Sequence, residues 1–204
     1  MATKPLELLV ETLSPFEKCS TIAFVAPNVG DGATTVTVAM VWSLSQSLAV
    51  RVLVVDGNYL HPRLHGLFNL PNETGLRDLL ADPQRPLDGV IQKDCGGFDV
   101  LPAGRGDAQN LKTLTSAVFG KILGRLKEKY DYILFDLPAV NEFPGIGNVA
   151  AQFDGVVLVV ACEETRWEVA QNIKEKLSSA GANLLGVMLN KRKFYVPTWL
   201  YRFV

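Results

Sequence analysis

Residues 20–40 read STIAFVAPNVGDGATTVTVAM. An apolar run, Thr21–Ala26, reads as a buried strand. A turn containing Gly30 and Gly32 follows, and then a helical stretch over Thr34–Leu48. Glycine permits backbone conformations that other residues resist. A glycine-rich turn feeding a helix N-terminus aims several N–H groups at one point and binds anions there. Thr34 and Thr35 sit where a hydroxyl could hold Mg2+ or a phosphate oxygen. The ordinary phosphate-loop motif is G-x-x-x-x-G-K-[ST]. Aligned on Gly32 and Thr34, the lysine position holds Ala33 and the first glycine position holds Pro27. By the strict motif the match fails, and a plain glycine turn before a core helix is the competing reading.

Five further apolar runs read as strands: Arg51–Asp56, Asp99–Leu101, Tyr132–Asp136, Val156–Ala161 and Leu185–Asn190. Most lack strict alternation, as parallel strands covered on both faces do. Helical stretches over Asn110–Tyr130 and Thr165–Ala180 lie between them. Strands alternating with helices predict a doubly wound α/β fold, a mainly parallel sheet with helices on both faces. No internal repeat or long linker divides the chain, so residues 1–204 are expected to form a single domain. Residues 1–19 would be an N-terminal helical segment and 194–204 an aromatic tail.

In such sheets ligands bind beyond the C-terminal ends of the strands. Four strand ends carry polar or glycine-rich sequence: Asn28–Thr35, Asp56–Asn58, Asp136–Pro138 and Asn190–Lys193. Asp136 and Asp56 each end an apolar run, and a magnesium site uses one or two carboxylates with waters and phosphates. A lone Asp at such a place is otherwise a turn or helix cap. His61 and His65, four apart, lack further ligands for a metal site.

Composition narrows the function classes. The chain has 204 residues, 48% hydrophobic and 20% charged, enough to bury a sizeable core. Lys and Arg number 20 against 21 Asp and Glu, so no basic excess supports nucleic-acid binding. Cys19, Cys95 and Cys162 are odd in number and scattered. They form no disulfide framework or metal spacing, which fits a reducing, cytoplasmic compartment. No apolar run approaches the roughly 20 residues of a membrane span, so membrane attachment would need a partner.

Taken together, the motifs resemble the cytoplasmic domain of bacterial tyrosine kinases (BY-kinases) of capsule and exopolysaccharide export, within the MinD/ParA-like class of partitioning and division-site P-loop ATPases. The loop Val29–Thr35 parallels that family's P-G-E-G-K-S/T-T. VLVVDGNYLHPRLHGLFNL, residues 52–70, parallels its D-x-D-x-R-x-P element, with Asp56, Pro62, Leu64, His65 and Phe68 in register. LPNETGLRDLLA follows as in the family, YDYILFDLPAV supplies Asp136 and Pro138, and GVMLN ends in Asn190, where the family's Asn contacts a purine base. The resemblance runs from about Ser20 to the C-terminus.

The resemblance implies ATP or ADP with Mg2+ as cofactors. Gly30, Asp31, Gly32, Ala33, Thr34, Thr35 and Asn190 would bind nucleotide. Thr34, Asp56 and Asp136 would hold the metal, and Asp56 and Asp136 would be catalytic. It also implies a membrane polysaccharide co-polymerase or kinase-like subunit as partner, which would recruit the chain to the inner face of the cell membrane, or a homo-oligomer. The departures weigh against full activity. Ala33 replaces the phosphate-gripping lysine, and Asn58 replaces the second Asp of D-x-D. ELLVETLSPFEK, residues 7–18, lacks the arginines of the family's oligomerisation helix, and RGDAQNLKTLTS replaces its Pro-rich loop. Tyr195 and Tyr201 are the only tyrosines near the end. The expectation is a pseudo-enzyme with weak or absent ATP binding, a regulatory or assembly partner in polysaccharide export. The alternative is an active ATP-dependent tyrosine kinase or ATPase whose lysine was replaced by engineering. A positioning ATPase is disfavoured because Asn28 stands where those proteins carry a lysine.

Overall fold

The computed structural model describes residues 20–47, 50–105 and 114–192. Expectations for Glu7–Leu13, Cys19, most of the segment after Arg105 and the aromatic tail therefore lie outside the described residues. Six parallel strands form one sheet: β1 (Ser20–Val25), β2 (Val52–Asp56), β3 (Asp99–Leu101), β4 (Tyr132–Asp136), β5 (Gly155–Ala161) and β6 (Leu184–Asn190). Their spatial order is β3-β2-β4-β1-β5-β6. The helices are α1 (Ala33–Ser47), α2 (Leu64–Leu67), α3 (Leu76–Ala81), α4 (Ala117–Lys127), α5 (Ile146–Ala150) and α6 (Trp167–Ser179).

The apolar runs form central strands because both faces are covered. Alternate residues serve opposite layers. Ile22, Phe24, Val54 and Leu134 pack with Val36, Met40, Val41 and Leu44 of α1. Ala23, Val55, Ile133 and Phe135 point the other way, into a layer with α3, α4, α5 and α6. There Phe135 meets Phe153 at 4.6 Å and Phe119 at 5.9 Å between ring centroids. At the base of the sheet, the Asp154 carboxylate accepts from the amide and hydroxyl of Thr21, each at 2.8 Å, and from Lys127 Nζ at 2.8 Å. This ties the foot of β1 to the turn before β5.

The expected strands agree with the sheet to within a residue at each end. The expected helix start at Asn110 lies outside the described residues; within them α4 begins at Ala117, where Ser116 caps it by accepting from the Phe119 amide at 3.4 Å. α6 begins at Trp167 rather than Thr165, whose hydroxyl is drawn away to the Asp31 carboxylate at 3.2 Å.

The two sheet edges differ. β3 has three residues and is flanked by an antiparallel bridge from Gln92 to Val100. β6 has seven and leaves Val187 and Leu189 exposed. No helix among the described residues is long and apolar enough to cross a membrane.

Phe135 is fully buried at the centre of the aromatic layer. Phe135→Ala is expected to cost about 3–5 kcal/mol, the usual range for such a cavity. Urea denaturation of both proteins checks this, and a loss below about 1 kcal/mol would mean that the layer collapses around the gap.

Candidate functional site

The parallel register sets Asp56 directly beside Asp136 at the C-terminal ends of β2 and β4. The turn after β1 opens next to them, since Phe24 of β1 pairs with Asp136. Gly30 and Gly32 adopt φ of +91° and +101°, conformations that strain other residues. A Cβ on Gly32 would lie 1.9 Å from the Asn190 side-chain nitrogen, so the close approach of β6 also demands glycine. Among the described residues, no hydrogen bond within the chain engages the amides of Gly30, Gly32, Ala33, Thr34 or Thr35. These amides belong to the turn and first turn of α1, the arrangement that binds anions.

The turn borders a cleft of about 110 Å3. Gly30, Gly32, Ala33, Thr34 and Thr35 form one wall; Asn58, His61, Arg63, Asp136 and Glu142 form much of the rest. Thr34 donates its hydroxyl to Asp136 Oδ2 at 2.6 Å. Asp136 Oδ1 is buried and has no hydrogen-bond partner among the described residues. Burial is the main reason its carboxyl is pushed up to about 7; the Asp56 charge adds to the rise, while the Thr34 hydroxyl and Arg63 oppose it. A buried carboxylate oxygen without a donor calls for a proton or a cation. With the Thr34 hydroxyl on its other oxygen and a row of open amides alongside, the donor set fits a magnesium-bound phosphate.

Three expected site residues stand behind the cleft rather than in its wall. Asp56 is fully buried and accepts from the amides of Arg63 and Leu64, each at 2.9 Å, and Asn58 at 3.3 Å. Burial still lifts its carboxyl to about 6. Asp31 turns its carboxylate inward to the Asn28 amide at 3.0 Å and to Thr165. Asn190 donates to the Asp31 carbonyl at 2.9 Å, bracing the turn against β6. The structure also brings in residues that the motifs left out. His61 meets Glu142 at 2.8 Å across the mouth, and Asn141 donates to the Asn28 side chain at 2.7 Å. His65, by contrast, lies on α2, apart from any cluster of metal ligands among the described residues.

A family profile described as "Cellulose biosynthesis protein BcsQ" matches residues 21–178, from β1 into α6. The chain belongs to the BcsQ family. This BcsQ-family chain is 29% identical over 141 residues to CapB of Staphylococcus aureus, covering 69% of the chain and 62% of CapB. It is 30% identical over 172 residues to the tyrosine-protein kinase ptk of Acinetobacter johnsonii, covering 83% of the chain but 23% of ptk. The chain thus spans less than two thirds of either relative. Among solved structures, the chimerical protein CapA2B2 superposes with a TM-score of 0.84 at 26% identity, over 94% of this chain and 85% of that one. The septum site-determining protein MinD of Pyrococcus horikoshii, complexed with Mg-ADP, shares the fold at a TM-score of 0.68 and 24% identity, over 90% and 76% of the two chains. The resemblance to BY-kinase domains and MinD/ParA-class P-loop proteins, read first from short motifs, therefore holds across the sheet.

The raised carboxyls have a consequence for stability in the BcsQ-family chain. At these two carboxyls the folded state keeps protons that the unfolded state releases, so their contribution to stability is full at low pH and is lost as pH rises from the usual 3.8 toward about 7. Asp136→Asn removes one share of that fall. Urea midpoints measured across this range should decline less steeply in the variant than in the parent; equal slopes would show that Asp136 does not titrate there.

Proposed function

We propose that this chain is a BY-kinase-like pseudo-enzyme, a regulatory or assembly partner in polysaccharide biosynthesis or export whose ATP binding is impaired. The observation that carries the reading is the contrast within one cleft. The turn amides, Thr34 and Asp136 keep the shape of a phosphate and magnesium site. Ala33, on the same wall, offers a methyl group where the phosphate-loop motif places its cation. In phosphate-loop proteins that lysine cradles the β- and γ-phosphates and balances transferred charge. Removing one partner of a buried charged contact costs about 2–5 kcal/mol.

A bound Mg-nucleotide would supply the phosphoryl group and a metal to neutralise its charge. Thr34 and Asp136 would hold the metal, and the open amides would hold phosphate oxygens. Asp56 is spent on three backbone amides, and Asn58 brings no second carboxylate. Among the described residues, the cleft's remaining carboxylate, Glu142, is held by His61, so none stands free next to Asp136 as a base for a tyrosine hydroxyl. The family's description as a cellulose biosynthesis protein and the relatives' names as tyrosine-protein kinases support a place in polysaccharide machinery. The partner would be a membrane polysaccharide co-polymerase or a kinase-like subunit, with the chain on the cytoplasmic side. Residues 7–18 carry no arginine, which argues against rings built through an arginine motif in that segment.

The test is a calorimetric titration of Mg-ATP and Mg-ADP into the parent and Ala33→Lys, at one salt concentration. The expected result is weak affinity and negligible hydrolysis in the parent, and a gain of at least about tenfold in the variant, where 1.4 kcal/mol is one decade. Tyrosine phosphorylation should recover less than binding. Rapid ATP hydrolysis or low-micromolar affinity in the parent would overturn the reading. So would robust tyrosine kinase activity, which would favour the active-kinase alternative.

A further inference from the structure

The loop that joins β2 to α2 delivers a cation to the phosphate cleft. Arg63 precedes α2, and its backbone amide is fixed to Asp56 Oδ2 at 2.9 Å. The fixed amide anchors the residue while the side chain stays exposed and lines the cleft opposite Gly32, Ala33 and Thr34. Among the described residues, the guanidinium has no hydrogen bond or ion pair. The neighbouring arginines differ: Arg77 reaches the Tyr59 carbonyl at 2.5 Å, and Arg85 pairs with Asp78 at 3.2 Å. Arg63 therefore carries an uncommitted positive charge next to open amides and the unpartnered Asp136 Oδ1. Its charge already bears on the Asp136 carboxyl, which it pulls downward against burial.

We infer that Arg63 supplies the phosphate-binding cation of this cleft, taking over from the opposite wall the charge that Ala33 cannot provide. The inference rests on the reading of the cleft as an impaired nucleotide site. A guanidinium is a planar fork of five donors that matches phosphate oxygens two at a time, unlike the point charge of a lysine. Placed on the β2–α2 loop, it grips the terminal phosphates of a nucleoside di- or triphosphate from the side rather than from the helix end. The cleft then retains nucleotide weakly without the geometry for transfer.

The experiment titrates Mg-ADP and adenosine, separately, into the full chain and its Arg63→Ala, Arg63→Lys and Arg63→Ala/Ala33→Lys variants. The structural bond at this position is made by the backbone, so Arg63→Ala should keep the fold, and urea denaturation checks that it does. Arg63→Ala is expected to weaken Mg-ADP at least about tenfold and leave adenosine unchanged. Arg63→Lys should retain part of the affinity. Ala33→Lys should raise affinity more in the Arg63→Ala background than in the parent, because the two cations serve one ligand and neighbouring sites are not additive. Unchanged Mg-ADP affinity in Arg63→Ala overturns the inference, as does an equal loss for adenosine, which would mark a structural effect. A parent with no measurable Mg-ADP binding also overturns it, yet leaves the pseudo-enzyme reading in place. Rapid hydrolysis by the parent would remove that reading while the Arg63 comparison still stands by itself.

Discussion

A carboxylate taken out of water costs several kcal/mol unless donors meet its oxygens. Asp56 is met by three amides, all from the eight residues that follow it. Those bonds fold residues 57–64 back onto the end of β2. They stand Asn58, His61 and Arg63 along the cleft. Asp136, its neighbour across the sheet, has the Thr34 hydroxyl on one oxygen and, among the described residues, no partner on the other. The same strand register thus yields two different carboxyls: one consumed by architecture, and one left open to a ligand.

The sheet is legible in the sequence because strands covered on both faces are continuous apolar runs, and each run ends where polar residues begin. Tyr132–Asp136 and Val52–Asp56 show this most clearly. Helix starts are harder to read because local polar bonds compete for them. Ser116 halts α4 with its hydroxyl, and Thr165 gives its own to Asp31 across the molecule rather than to α6. The second contact joins residues 134 apart, which no local pattern reveals.

The site was legible in part for the same reason. Glycines, Thr34 and Asp136 belong to short motifs and fall on the cleft. Asp31 and Asn190 also stand out as motif residues, but their polar atoms turn toward each other and toward Asn28 to hold the loop. Arg63 follows a proline outside the motif positions, and its importance comes from where Asp56 places it. Tertiary hydrogen bonding, not spacing, separates the residues that shape the loop from those that face the opening.

The strand order carries a consequence for how the molecule comes into being. β1 is the first strand in the described chain, yet it sits between β4 and β5. Its tie to Asp154 spans 133 positions. During synthesis, the phosphate turn therefore leaves the ribosome long before the strand bearing Asp136 exists to face it. Pairings so distant in sequence are slow to form, because a long loop must close before any contact rewards it. The cleft is thus among the last features to mature. A ligand that needs both the turn and Asp136 therefore meets only the finished sheet, never the nascent one.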